Sequence, residues 1–385
     1  MEVDICIVGG GIMGAATAYA LSRLSSKKIL LIDRYGIGND HCSSNDVNRV
    51  FRYAYGNDRY YTKMAVESEV LWKDLMRETG KKLLVPAGLL MIEGRNDDAN
   101  RFCESSYKTL KQLGLAASEY VGPELRNRFP QFRASRGFFD AHGAVLLASK
   151  SLEAFASQAK KHGAKIVKNR VISLPTESSL EIQTEERQKI KTKKTIVTVG
   201  PWTNQLLRKG LVRITPTRQQ VIYLKPRQHP ENFRPEICPI FFTDHHYGLP
   251  AAGIDGVKIS NKELDDPVDP EITKRTVDQD QIDQCRGACR EFVPELADGS
   301  LVHSKVCIYD MTANYDFVID TDPDNPDIVY GYGFSGHGFK FAPLIGKLLA
   351  ELALDRDPSS DLSRFSIRES QRTKRMIIGQ LGQGE

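Results

Sequence analysis

Cys307, His337 and Lys340 place a thiol, an imidazole and an ammonium in the last quarter of the chain, the latter two within the glycine-dense run Gly333-Phe-Ser-Gly-His-Gly-Phe-Lys340. Glycines let backbone approach a flat ligand closely, and the start of a helix offers free N–H groups to negative charge. This arrangement predicts a bed for a cofactor. A second group stands at the N-terminus, Gly9-Gly-Gly11-Ile-Met-Gly14, with Asp33 beyond it. In that spacing Gly9 makes a tight turn, Gly11 admits a pyrophosphate against the backbone, and Gly14 lets helix and strand pack closely. Asp33 is placed to accept hydrogen bonds from a ribose. The pattern predicts a dinucleotide and does not separate FAD from NAD.

The elements around these residues supply the context the pattern requires. Residues 3–8 form an apolar run that reads as a buried parallel strand. The helix-forming run Ala15–Leu24 follows, then a second strand at Ile29–Ile32. Further helices are predicted near 60–78, 98–113, 150–161, 273–292 and 338–353. Strand-like runs occur at Lys82–Glu93, Gly137–Leu147, 164–199, 213–262, 301–309 and 328–332. Gly200-Pro-Trp202, after the strand ending at Val199, reads as a second close approach of backbone to a dinucleotide, or as an ordinary strand-to-helix turn. Beginning, middle and end thus read as nucleotide-binding, with two mainly β insertions between them.

Composition narrows the function. With 385 residues the chain can bury a large core in two domains, and 41% hydrophobic with 26% charged residues is ordinary for a globular protein. A formal charge of +4 is too mild to imply nucleic acid. The basic run Lys189-Ile-Lys-Thr-Lys-Lys194 reads as a solvated hairpin. No apolar run reaches the roughly 18 residues that span a bilayer, so no membrane association is expected. The first residues read as a fold strand and not a signal peptide, and Gly384-Glu385 is no peroxisomal address. Seven cysteines at scattered spacings suit a reducing cytoplasm. Cys285 and Cys289 lack the two further ligands of a zinc site, and no metal is expected.

The chain resembles the FAD-dependent amine oxidases of the monomeric sarcosine oxidase, N-methyltryptophan oxidase and pipecolate oxidase group, nearly end to end. The resemblance is carried by Gly9–Gly14, Arg49-Val-Phe-Arg52-Tyr-Ala-Tyr-Gly56, Gly200-Pro-Trp-Thr-Asn204, Gly256-Val-Lys258, Val306-Cys-Ile-Tyr309 and Gly333–Lys340. It implies an α/β protein with a Rossmann-like FAD-binding domain and a second α+β substrate domain on a mixed, largely antiparallel sheet. The expected boundaries are 1–85 with 145–212 and 320–385 for the first, and 86–144 with 213–319 for the second. It also implies a monomer that oxidises a secondary amino acid to an imine and reduces O2 to hydrogen peroxide.

The resemblance assigns roles residue by residue. Cys307 matches the cysteine that links the flavin through a thioether; its plain alternative is a buried strand cysteine. Lys258 matches the lysine set over the flavin, where a cation would stabilise negative charge as O2 is reduced. Arg52 and Lys340 match the pair that binds the substrate carboxylate. Arg49 matches a second arginine beside the flavin, and His337 could contact the flavin or shape the site. Tyr247 and Tyr309 match residues lining the substrate cavity. Ile12, Met13, Arg34, Ser43, Ser44, Asn45, Val171, Gly200, Trp202, Gly336, Gly338 and Phe339 complete the implied FAD contacts.

Two departures bear on the substrate. Ser44-Asn45 stands where sarcosine oxidases carry a His pair, and Lys262 where they carry a histidine four residues after the oxygen-activating lysine. The segment Ser43–Asn48 is similar to that of the fungal pipecolate, saccharopine and fructosyl-amino-acid oxidases. An extra cation at Lys262 suits a second carboxylate or a polar substituent better than a methyl group. The alternatives are a saccharopine or fructosyl-amino-acid oxidase, an amine dehydrogenase with a protein acceptor, and a binding protein that keeps FAD as structure.

Overall fold

The computed structural model describes residues 1–176, 181–262 and 266–372; Gly384-Glu385 therefore lies outside the described residues. One sheet has a parallel centre in the order Ile328–Tyr332, Lys189–Val197, Glu2–Val8, Ile29–Asp33, Lys165–Lys168. Ile5, Cys6, Ile7 and Val8 are all buried, as befits a strand covered on both faces. Helix Ile12–Leu24 covers one face together with Ala148–Lys161 and Ala342–Ala353. The hairpin strands Glu181–Thr184 and Lys189–Val197 bring Ile182 and Ile190 against Cys6, Leu30 and Ile32.

Gly14 sets the closeness of that first helix. A Cβ there would overlap the Gly9 carbonyl oxygen and stand 2.8 Å from Thr198 Oγ1. Gly14→Ala is therefore expected to lower stability by about 1–3 kcal/mol through overpacking. Thermal unfolding checks this, and an unchanged Tm would contradict it.

The second large sheet runs Ser300–Met311, Thr215–Lys225, Val257–Asn261, His246–Leu249, Ile240–Phe242, Leu89–Ile92, Arg136–Asp140, Ala117–Val121. Only the pair Ile240–Phe242 and Leu89–Ile92 is parallel, so the sheet is mixed and largely antiparallel. Helix Gln279–Phe292 lays Cys285 and Cys289 into its core beside Ile222 and Ile259, which makes these thiols packing residues. Among the described residues no cluster could hold a metal, and no helix is long and apolar enough to cross a membrane.

A three-stranded sheet of Asn48–Phe51, Ala144–Leu147 and Leu84–Pro86 stands apart from both. The strand-like runs at 82–93 and 137–147 each form two strands. Gly88 N donates to Gly143 O at 2.7 Å, and at that meeting the first run passes from the small sheet to the large one and the second from the large sheet to the small one.

Two helix starts differ from expectation. The helix expected from 273 begins at Gln279, because Asp278 is extended and its N–H is tied to Gln220 Oε1 at 2.8 Å. The last helix, expected from 338, begins at Ala342, with Pro343 in its first turn. Lys340 instead lies in the tight turn Phe339–Phe341 that leads into it.

Candidate active site

A channel opens at the carboxyl ends of the parallel strands, the usual ligand position in such a sheet. Its walls run from Gly9, Gly11 and Asp33 past Val171 and Trp202 to Tyr309, Gly336 and Phe339. Asp33 holds the turn itself: Oδ2 accepts Gly10 N, and Oδ1 accepts Tyr35 N and Gly36 N, each at 2.8 Å. Ser44 Oγ accepts Ile12 N at 3.0 Å and steadies the helix start. At Gly11 an added Cβ would meet nothing nearer than Cys42 Sγ and Ser44 Oγ at 3.5 Å, so bare backbone fronts the channel.

Two further features fit a bound dinucleotide. The indole N–H of Trp202 is buried without an acceptor among the described residues. Gly336 has φ +72°, and a Cβ there would stand 2.5 Å from the Tyr309 ring, so both conformation and space call for glycine. The far end of the channel is thereby kept free of side chain. Ile12, Met13, Arg34, Ser43, Ser44, Gly200 and Gly338 also line the channel.

The channel meets a cavity of about 800 Å³, and Arg49, Tyr309, Gly336 and Phe339 line both. The cavity gathers Arg52, Tyr247, Lys258, Lys262, His337 and Lys340 from four separate stretches of chain. All the residues expected on the substrate side are thus brought together.

At the junction, Asp46 organises two cations. It is 4% exposed, and its Oδ2 accepts both Arg49 and Lys258 Nζ, the latter at 2.6 Å. Its Oδ1 accepts Tyr223 OH at 2.7 Å. Lys258 Nζ also donates to Asn48 O at 3.0 Å. Burial alone would raise the Asp46 carboxyl, but Lys258 and Arg49 hold it well below the usual carboxylate range. Burial pulls Lys258 down, and Asp46 offsets part of that. Arg49 also donates to Cys307 Sγ at 3.2 Å and to Ser43 O at 2.8 Å. Cys307 is 2% exposed and lines neither space, whereas Arg49, which bonds its sulfur, lines both.

The other cations have no such counter-ion. Lys340 is 4% exposed and donates to Tyr55 OH at 2.8 Å and His337 O at 2.6 Å. Trp72 Nε1 donates to Lys340 O at 2.8 Å and fixes its turn. The Arg52 guanidinium lies 4.1 Å from the Tyr55 ring centroid and donates to Ala54 O. Among the described residues neither has a carboxylate within ion-pair distance. Burial, then Arg52, pulls the Lys340 ammonium well below its ordinary value. Burial, then Lys340, pushes His337 down to about 3, so its imidazole is neutral. Its Nε2 donates to Tyr315 O at 3.0 Å.

Asn45 lies outside both spaces; its amide bonds Gly38 O and its Oδ1 accepts Ser149 Oγ. Asp46, Tyr55 and Asp140 are the residues that sequence reasoning missed. Asp140 Oδ2 accepts Tyr53 N at 2.8 Å and Ala54 N at 3.1 Å, which shapes the loop that carries Arg52. Asp46 had one signal in the sequence, an acid three residues before an arginine assigned to the site.

Comparisons with known proteins agree with this geometry. The FAD dependent oxidoreductase family matches residues 4–352. The human peroxisomal sarcosine oxidase is 32% identical over 94% of this chain and 95% of its own length. The monomeric sarcosine oxidase of Bacillus sp. (strain B-0618) is 30% identical over 94% and 95%. Among solved structures, NikD, an unusual amino acid oxidase essential for nikkomycin biosynthesis, superposes with a TM-score of 0.81 at 21% identity, covering 95% of this chain and 97% of that one. The glycine turn, the channel behind it and the near full-length match have one explanation: the chain belongs to the FAD dependent oxidoreductase family, with a Rossmann-like FAD-binding domain and a second α+β domain.

Proposed function

We propose that this protein is an FAD-dependent oxidase of secondary amines, acting on an N-substituted or cyclic α-amino acid, with FAD held covalently through Cys307. One observation carries the substrate class: Arg52 and Lys340 face the cavity beside its junction with the channel and lack a carboxylate partner among the described residues. A buried ammonium without a counter-ion is costly, and an incoming carboxylate supplies one. The Arg52 fork and the Lys340 ammonium grip it from two sides and orient the adjacent carbon toward the junction.

When bound, FAD would supply a two-electron oxidation of the C–H bond beside the amine nitrogen, giving an imine, with O2 as the final acceptor of the two electrons and two protons as hydrogen peroxide. Lys258, kept at the junction by Asp46 and Asn48, supplies positive charge where O2 gains negative charge. Arg49 holds a second cation there and offers an N–H to the Cys307 sulfur. Tyr247, Tyr309 and neutral His337 wall the cavity. Gly9, Gly11, Asp33, Val171 and Trp202 would hold the dinucleotide.

This reading takes 1–85, 145–212 and 320–385 as the FAD-binding domain and 86–144 with 213–319 as the substrate domain, in a cytoplasmic monomer. Peroxide formation from an N-methyl amino acid is expected to exceed that from the same amine without its carboxylate by about a hundredfold, the scale of two charge-assisted hydrogen bonds. Equal rates would overturn the role of Arg52 and Lys340. Acid precipitation checks the tether: a yellow pellet is expected from the parent and a colourless one from Cys307→Ala. A colourless pellet from the parent would contradict the covalent link.

A further inference from the structure

Three cations face the cavity along two shared aromatic rings. Lys340 Nζ and the Arg52 guanidinium lie 5.4 and 4.1 Å from the centroid of Tyr55. Arg52 and Lys262 Nζ lie 5.4 and 5.1 Å from that of Phe242. Neighbouring positive charges against a protein wall are unfavourable without an anion beside them. The amine oxidase reading, on which this inference rests, places one carboxylate between Arg52 and Lys340. Lys262 is left over.

No carboxylate among the described residues answers it. Its ammonium donates to the Thr243 carbonyl. Asp98, also on the cavity wall, is exposed and paired with Arg101. Asp244, also on the cavity wall, is outside ion-pair distance of Lys262: its Oδ2 accepts Arg95 N at 2.7 Å and Asn96 N at 3.1 Å in the loop before helix Asp97–Gln112, and its buried Oδ1 has no partner among the described residues. Lys262 keeps accessible surface because it faces the open cavity, while protein still crowds its ammonium. Burial, then repulsion from Arg52, draws it down to about 8, and Cys103 and Asp244 offset only part of this. Below that value it is charged.

We infer that the cavity takes a secondary amine with two carboxylates, one on the α-carbon held by Arg52 and Lys340, the other ending the N-substituent and held by Lys262. The Phe242 ring, shared by Arg52 and Lys262, gives the connecting methylenes an apolar wall. With about 800 Å³, the cavity has room for such a chain, far beyond the needs of an N-methyl group. An ammonium at the end of the substituent would meet Lys262 with like charge.

The test uses the FAD-loaded protein and thioethers in which sulfur replaces the amine nitrogen, so that they bind without being oxidised. Binding is read from the flavin absorption spectrum. The dicarboxylate 2,2′-thiodiacetate and its longer homologue, 3-(carboxymethylthio)propanoate, are compared with the monocarboxylate (methylthio)acetate. The better dicarboxylate is expected to bind at least about tenfold more tightly, the factor carried by one charge-assisted hydrogen bond. In Lys262→Met the ratio of dissociation constants falls toward one, and in Lys262→Arg it is largely kept. A parent protein that binds all three alike, or a ratio that survives Lys262→Met, would overturn the second-carboxylate site alone. If none of them perturbs the spectrum, the carboxylate role of Arg52 and Lys340 fails and this inference with it.

Discussion

Lys258→Met is expected to slow the reaction of the reduced enzyme with O2 by a hundredfold or more, and to slow flavin reduction by substrate far less. The magnitude is that of about 3 kcal/mol, typical of one preorganised donor at a site of developing charge. The substitution isolates the charge because the surrounding pairs survive: Asp46 keeps Arg49 and Tyr223 as partners. Met has nearly the length of Lys, so the buried volume is largely retained. Stopped-flow measurement of the two half-reactions separates the effects. Equal losses in both would show that Lys258 shapes the site generally. An unchanged O2 reaction would assign oxygen activation elsewhere.

Asp46→Asn is expected to damage both stability and chemistry. The carboxylate is the shared counter-ion of two buried cations, and removing one member of a buried ion pair costs about 3–5 kcal/mol. Without it, Lys258 loses the attraction that offsets its burial, so its ammonium titrates at still lower pH and O2 reactivity falls with it. The pH dependence carries a sign. Asp46 is depressed below its ordinary 3.8, so its contribution is fully present above that value and is lost as pH falls through the depressed one. The stability gap between parent and Asp46→Asn should therefore be widest above about pH 4 and narrow in acid. Chemical denaturation at pH 7 and pH 3 checks it; a gap that is small or does not change with pH would place the stabilising interaction elsewhere.

Much of this site was legible because its residues sit in local patterns. Gly9, Gly11, Gly14 and Asp33 belong to one strand–turn–helix–strand unit, whose period and glycine spacing are visible in sequence. The resemblance located Arg49, Arg52, Lys258 and Lys340, and the fold brings all four around one cavity. Asp46 was not legible in the same way. An acid in a Ser- and Asn-rich segment reads as a solvated loop residue, and only the reach of Lys258 from strand Val257–Asn261 to Asp46 and Asn48 sets it between two cations.

The breaks at Gly88 and Gly143 carry a local signal, Pro86-Ala-Gly88 in the first run and Asp140-Ala-His-Gly143 in the second. What the chain alone does not show is that the two glycines meet, which turns each run from one sheet to another. Pattern along the chain shows period and charge, whereas a counter-ion shared by residues 46, 49 and 258 exists only in the folded arrangement.

The most direct test of the whole account is anaerobic mixing of the FAD-loaded protein with a panel of secondary amino acids, followed by admission of air. The account predicts loss of the yellow flavin colour without O2 for at least one N-substituted or cyclic α-amino acid, and recovery of colour in air with one hydrogen peroxide formed per flavin. Failure of every secondary amino acid to bleach the flavin would contradict it.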